Sequence, residues 1–192
     1  MTQQQYAPVK EKQLDTPRAE KFVERLVGIV NGAALALMIS IGHRTRLFDV
    51  MDQHPGLTSA QLAERAGLSE RYVREWLGAM VTGGIVEHDP AAGTYTLPPE
   101  HAAALTRRAT PNNMAATMQW ISVLGAVEDR VVEAFRDGRG VPYSAYGRFH
   151  EVMAEESAQT TVAGLDKHII PLVPGLRERL NAGIDVLDVG CG

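Results

Sequence analysis

The chain has 192 residues, of which 45% are hydrophobic and 22% are charged, and its formal net charge at pH 7 is −4. These fractions are typical of a globular protein with one large or two small domains. The acidic excess argues against a protein that wraps nucleic acid, and the single cysteine, Cys191, excludes an internal disulfide. The first residues lack the apolar core of a signal peptide, so we expect a cytoplasmic protein.

Residues 1–17 are polar and predict a disordered tail. From Arg18 onward, apolar side chains recur at helical spacing. Residues 26–42 contain no charged side chain, but this stretch is shorter than the ~20 residues that a membrane span requires. It therefore predicts a buried helix and no contact with a membrane.

The uncharged stretch is rich in small residues that would let a second helix approach closely, namely Gly32, Ala33, Ala34 and Ala36. We therefore expect a homodimer formed through the N-terminal helices. The alternative is a helix that is buried in the core of its own chain.

Start and stop signals then predict a compact helical unit. Thr58 to Gln61 match a capping box that starts a short helix at Ser59, and Gly67 ends that helix. Ser69 is expected to cap a second helix. One apolar stripe of that helix consists of Tyr72, Val73, Trp76, Leu77, Met80 and Val81.

Two short strands follow, at residues 85–86 and 94–97, around a turn that contains Asp89 and Gly93. Two helices followed by a hairpin are typical of a winged helix. We therefore place an N-terminal helix and a winged-helix or dimerisation domain at residues 18–108. The pair Arg107–Arg108 near its end is interpreted as a solvated helix end.

A winged helix raises the hypothesis of a DNA-binding regulator, which requires a basic surface. Between residues 44 and 108, seven arginines face eight carboxylates, so this unit has a net charge of −1. A good DNA binder makes about 6 to 10 phosphate contacts. The charge balance favours a packing or dimerisation module, and DNA binding is kept as the alternative.

Residues 109–180 are predicted to be a helical linker and lid. Apolar residues from Met114 to Phe135 follow the period of one long amphipathic helix. Further on, Phe149 and Met153 are one helical turn apart, and Ser157 follows after another. On periodicity alone, such a stripe can face either the core or a cavity.

The last seven residues, 186–192, join an apolar strand to a glycine-rich turn. Gly190 and Gly192 let the backbone bend sharply and approach a ligand. Asp188 lies two positions before Gly190, where a carboxylate would repel a phosphate group but tolerate a cationic ligand.

This string resembles the first motif of class I S-adenosylmethionine-dependent methyltransferases. Together with the winged helix and the Phe149–Met153 pair, it resembles the small-molecule O-methyltransferases that carry an N-terminal winged helix. The resemblance implies that Asp188, Gly190 and Gly192 contact S-adenosylmethionine. It also implies that Phe149 and Met153 line the cavity for the cofactor and a small-molecule methyl acceptor.

The predicted fold is therefore mainly α with a small β-hairpin, followed at residues 181–192 by the first strand and glycine turn of an incomplete Rossmann-like domain. We expect the N-terminal part of a methyltransferase, truncated within its first cofactor motif and inactive as these 192 residues alone. No metal site is expected, and no catalytic residue or acceptor can be assigned. The alternatives are a winged-helix DNA-binding regulator and a non-catalytic dimerisation partner.

Overall fold

The structure is a computed structural model that describes residues 14–190. Helix α1 runs from Thr16 to Arg44. The chain divides into two compact units whose boundary lies within α1, between Ala33 and Ala34.

The first unit consists, in its described part, mainly of the N-terminal half of α1. Its large apolar side chains are exposed, and they include Phe22, Val23, Leu26, Val27, Ile29 and Val30. The expected burial of residues 26–42 is therefore wrong for this half, and buried positions of α1 begin at Ala36. An uncharged sequence favours burial, but a helix face is buried only where another part of the protein packs against it. By length and composition, α1 also satisfies the requirements of a membrane span, with a mean hydropathy of 1.8 over its most apolar window.

The second unit begins with the predicted winged helix. It contains α2 (Leu47–Gln53), α3 (Ser59–Ala66), α4 (Glu70–Thr82), β1 (Glu87–Asp89), β2 (Thr94–Thr96) and α5 (Pro99–Leu105). The two strands pair antiparallel, with Glu87 opposite Thr96 and Asp89 opposite Thr94. The first strand begins two residues later than predicted. The reason is that the backbone N–H groups of Ile85 and Val86 both donate to the carbonyl of Met80, which keeps them in the turn that ends α4.

The predicted helix boundaries are largely correct. Thr58 and Gln61 form both hydrogen bonds of the capping box at the start of α3, and Gly67 ends this helix in the left-handed region with φ 66°. The cap predicted for α4 is only half right. Ser69 occupies the N-cap position, but its side chain makes no capping hydrogen bond.

The core of the winged helix is built around α4. Trp76 is 2% exposed, and its ring packs edge-on against Phe48 of α2 with a centroid distance of 5.2 Å. The indole N–H of Trp76 donates to the carbonyl of Met38 at 2.8 Å, which ties α4 to α1. Tyr72, which was predicted to share the buried stripe, is instead 76% exposed.

Gly42 is the point of closest approach between α1 and this core. A Cβ atom at Gly42 would lie 2.5 Å from the Trp76 ring and 2.7 Å from the Phe48 ring. We expect Gly42→Ala to lower the free energy of unfolding by about 1–3 kcal/mol, because two packed rings would have to shift. Urea denaturation would measure this change.

Gly78→Ala on the exposed face of α4 is the control, because no atom lies within 4 Å of the position that its Cβ would take. It should stabilise the helix by about 0.5–1 kcal/mol. Equal effects of the two substitutions would contradict the packing that is described for Gly42.

Three short helices follow the winged helix, where one long helix was predicted. They are α6 (Met114–Thr117), α7 (Gln119–Gly125) and α8 (Glu128–Asp137). The chain leaves the helical conformation at Val127, where φ is −114° and ψ is 8°. Asn113 caps α6 by accepting a hydrogen bond from the N–H of Ala115. Apolar periodicity persisted across the break, so it did not reveal where the helix is interrupted.

The remaining elements are α9 (Phe149–Ser157) and α10 (Leu176–Ala182), which are joined by turns of π- and 3-10 helix between residues 158 and 172. The strand predicted near residues 184–189 is not formed. This segment is irregular, and Val186, Leu187 and Val189 are more than two-thirds exposed. A strand requires a neighbour for its backbone hydrogen bonds, and the sheet in the described part of the chain contains only β1 and β2.

Candidate functional site

A cluster of aromatic rings surrounds Phe149 at the start of α9. The Phe149 ring lies 5.1 Å from Trp120 of α7, 5.3 Å from Tyr143 and 5.7 Å from Tyr146, measured between ring centroids. These tilted and edge-on arrangements are the favoured geometries of aromatic pairs. We call these four residues the ring cluster.

A carboxylate holds one side of the ring cluster. The indole N–H of Trp120 donates to Oε2 of Glu156 at 2.7 Å, and the hydroxyl of Thr117 donates to Oε1 of Glu156 at 3.2 Å. Glu156 therefore fixes the orientation of Trp120 and places a negative charge beside the rings. Cations are attracted both to aromatic faces and to carboxylates.

Phe149 and Met153 lie on the same side of α9, one turn apart, and both are partly exposed. The side chain of α9 that reaches the core is Val152, which is 1% exposed. Phe149 and Met153 are thus less buried than Val152 and keep part of their surface exposed.

A second carboxylate, Glu155, joins α9 to the end of α1. Its Oε1 lies 2.6 Å from Nε2 of His43, and its Oε2 accepts a hydrogen bond of 2.6 Å from the side-chain amide of Gln119. Gln119 in turn accepts a hydrogen bond of 2.7 Å from Arg148. His43 and Gln119 are each 1% exposed, whereas the side chain of Glu155 is 36% exposed, so this polar connection is partly buried.

The environment shifts the pKa values of this network. Burial lowers the pKa of the His43 imidazole below its ordinary value, although the adjacent Glu155 carboxylate opposes that effect. Hydrogen bonds from Arg148 lower the pKa of the Glu151 carboxyl. His43 is thus favoured in its neutral form, with Nε2–H donating to Glu155.

Sequence reasoning missed these residues, because His43 and Glu155 are 112 positions apart and neither belongs to a local motif. It also misinterpreted Arg107 and Arg108 as a solvated end. The backbone N–H of Arg107 donates to Asp49 at 2.8 Å, its guanidinium donates to the carbonyl of His43 at 2.9 Å, and Arg108 pairs with Asp52. The ion pairs tie the segment after α5 to α2, and the hydrogen bond to His43 ties it to α1.

The predicted glycine turn is only partly within the described residues. Gly190 has a φ of 79°, a left-handed conformation that glycine adopts without strain, and both Gly190 and Asp188 are exposed. Gly192 lies outside the described residues. Among residues 14–190, Asp188 makes no hydrogen bond or ion pair, and no group of side chains is arranged to hold a metal ion.

Comparison with known proteins supports the winged helix. Residues 33–107 match the model of the Rv2258c-like winged HTH domain. Comparison with curated protein sequences gives no match.

Several solved structures share the fold over most of the chain. Human N-acetylserotonin methyltransferase in complex with SAM is 16% identical and matches 81% of this chain and 49% of its own, with a TM-score of 0.55. The N,N-8-amino-8-demethyl-D-riboflavin dimethyltransferase RosA from Streptomyces davawensis is 19% identical, with 80% and 46% covered and a TM-score of 0.54. The mitomycin 7-O-methyltransferase MmcR is 17% identical, with 86% and 44% covered and a TM-score of 0.52.

The chain has the fold of the N-terminal half of a winged-helix methyltransferase. The resemblance stated from the sequence is thereby confirmed at the level of the fold, and the chain spans about half the length of the structures that it matches. At least 80% of the chain is covered, so the shared fold extends beyond the winged-helix domain at residues 33–107. The shared fold therefore includes helices outside the winged-helix domain.

Proposed function

We propose that this chain is the N-terminal part of an S-adenosylmethionine-dependent methyltransferase that acts on a small molecule. The observation that carries the proposal is the extent of the shared fold, which continues past the winged-helix domain. A DNA-binding regulator would require only the winged helix. In addition, helix α4 of this chain has no excess of basic side chains, and Arg74 lies 3.8 Å from Glu70 in an i,i+4 ion pair.

The chemistry of the candidate residues supports this proposal. The cofactor would supply a methyl group activated by a positively charged sulfonium. The faces of the ring cluster and the carboxylates of Glu156 and Asp188 suit a cationic ligand. In our proposal, Phe149 and Met153 line the wall of the cavity, and Asp188, Gly190 and Gly192 contact the cofactor.

The task of these residues would be to hold an acceptor in line with the methyl group and to exclude water from it. Placement of two reactants in an attack geometry lowers the barrier without any covalent participation by the protein. A hydroxyl acceptor would also require removal of a proton. We assign no residue of this chain to that step.

The proposal has a second part, which concerns residues 1–192 by themselves. The segment that would contact the cofactor is exposed and has no paired strand beside it. We propose that these residues alone bind S-adenosylmethionine weakly, that they form a homodimer through the exposed half of α1, and that the protein acts in the cytoplasm without a membrane.

Isothermal titration calorimetry with S-adenosylmethionine tests both parts. We expect no binding at micromolar concentrations by residues 1–192, and micromolar binding by the polypeptide extended through the reading frame that follows codon 192. In the extended polypeptide, Asp188→Ala should weaken binding about tenfold, because a charge-assisted contact is worth roughly 1.4 kcal/mol or more.

Each contrary outcome has a definite meaning. Micromolar binding by residues 1–192 would contradict the second part. A salt-dependent shift of duplex DNA, without cofactor binding by the extended polypeptide, would favour the regulator. A stop codon directly after Gly192 would favour the non-catalytic dimerisation partner.

A further inference from the structure

The contact between His43 and Glu155 connects two parts of the shared fold. His43 lies near the C-terminal end of α1, within the winged-helix domain at residues 33–107. Glu155 lies on α9, the helix that begins with Phe149 of the ring cluster. The 2.6 Å contact between their side chains is therefore a direct polar link between the winged-helix domain and the candidate site.

Both carboxylate oxygens of Glu155 take part in this link. Each of its carboxylate oxygens receives one hydrogen bond of 2.6 Å, from His43 and from Gln119 respectively. Gln119 is adjacent in sequence to Trp120 of the ring cluster. The carboxylate thus ties α9 simultaneously to α1 and to α7.

We infer that Glu155 is a positioning residue that couples the protonation of His43 to the placement of α9 and the ring cluster. The physical reason lies in the second imidazole nitrogen. Nδ1 of His43 is buried and has no hydrogen-bond partner in the described part of the chain. Protonation would place an N–H at Nδ1 with no acceptor, and a buried donor without a partner is unfavourable.

Charged groups from three elements face His43. Glu155 of α9 and Asp49 of α2 favour the protonated imidazole, whereas Arg107, which follows α5, disfavours it. The guanidinium of Arg107 also donates to the backbone carbonyl of His43, so the backbone of His43 is held in place. Burial outweighs the carboxylates and lowers the pKa of His43. When the pH falls and His43 is protonated, a turn of the imidazole that pairs the Nδ1–H would shift the Nε2 contact to Glu155, and with it α9.

Two NMR signals of the 192-residue chain test the coupling. One is the imidazole Cε1–H of His43, which reports its protonation, and the other is the methyl group of Met153, which reports the position of α9. We expect the Met153 signal to shift with the same midpoint as His43. In His43→Gln, which keeps a side-chain N–H donor, this pH-dependent shift of Met153 should be lost.

Glu155→Gln and Glu156→Gln form a matched pair, since both remove one negative charge from adjacent positions. Glu155→Gln should move the His43 midpoint to lower pH, because the favourable carboxylate is lost. Glu156→Gln should leave that midpoint in place, since Glu156 bonds Thr117 and Trp120 instead.

An unchanged Met153 titration in His43→Gln, or equal effects of the two glutamine variants on His43, would overturn the inference. Neither signal depends on cofactor binding. Failure here is therefore distinguishable from failure of the proposed function, on which only the assignment of the ring cluster to a cofactor cavity rests.

Discussion

Replacement of Trp76 by alanine should lower the free energy of unfolding by about 3–5 kcal/mol, which is the usual cost of removing a large buried aromatic side chain. Trp76 is 2% exposed and packs against Phe48, which is itself completely buried. Its indole N–H is also the donor to the Met38 carbonyl. The variant would lose ring packing, the hydrogen bond and the filling of the space between α1, α2 and α4. Equilibrium urea denaturation followed by circular dichroism would measure the loss.

Tyr72→Ala on the same helix is the matched control for Trp76→Ala. Tyr72 is 76% exposed, so its removal should change stability by no more than about 0.5 kcal/mol. Trp76→Phe should fall between the two, because it keeps a ring against Phe48 but removes the donor to Met38. A loss in Tyr72→Ala as large as that in Trp76→Ala would show that α4 packs through a different face.

The parts of this fold that follow from the sequence are those that local chemistry specifies. The capping box at Thr58 and the left-handed Gly67 depend only on residues within one or two turns, and the structure contains both. The hairpin also formed at its predicted turn. Such features require no knowledge of what the rest of the chain contacts.

Features that depend on distant partners were missed. Tyr72 and Trp76 fit the same apolar stripe, but only the packing of α1 and α2 decides which of them is buried. The contact between Trp120 and Phe149 and that between His43 and Glu155 each join segments that lie far apart in sequence, and no periodicity points to either. The segment 184–189 has the composition of a strand, yet composition alone cannot provide a neighbouring strand.

The exposed half of α1 leads to the second large effect. Leu26→Glu combined with Val30→Glu should weaken homodimerisation by about 100-fold or more, because each substitution would bury an unpaired charge at the centre of the proposed interface. Leu26 and Val30 are one turn apart and are 43% and 68% exposed. On the same helix, Gly28 and Gly32 have no atom within 4 Å of the position that a Cβ would take, which leaves room for the close approach of a second helix. Sedimentation equilibrium of the 192-residue chain would measure the dimer dissociation constant.

Phe135→Glu provides the control, because Phe135 is an 88% exposed aromatic residue on α8 and lies outside the proposed interface. It should leave the dissociation constant unchanged, whereas the pair of substitutions on α1 should yield monomers. A parent chain that is monomeric at high micromolar concentration would contradict the homodimer.

The apolar surface of α1, with a mean hydropathy of 1.8, could instead bind a membrane. In that case the parent chain would partition into neutral lipid vesicles, and the Leu26→Glu, Val30→Glu variant would not. The uncharged residues 26–42 are compatible with either occupant, but the small residues among them favour a second helix as the neighbour.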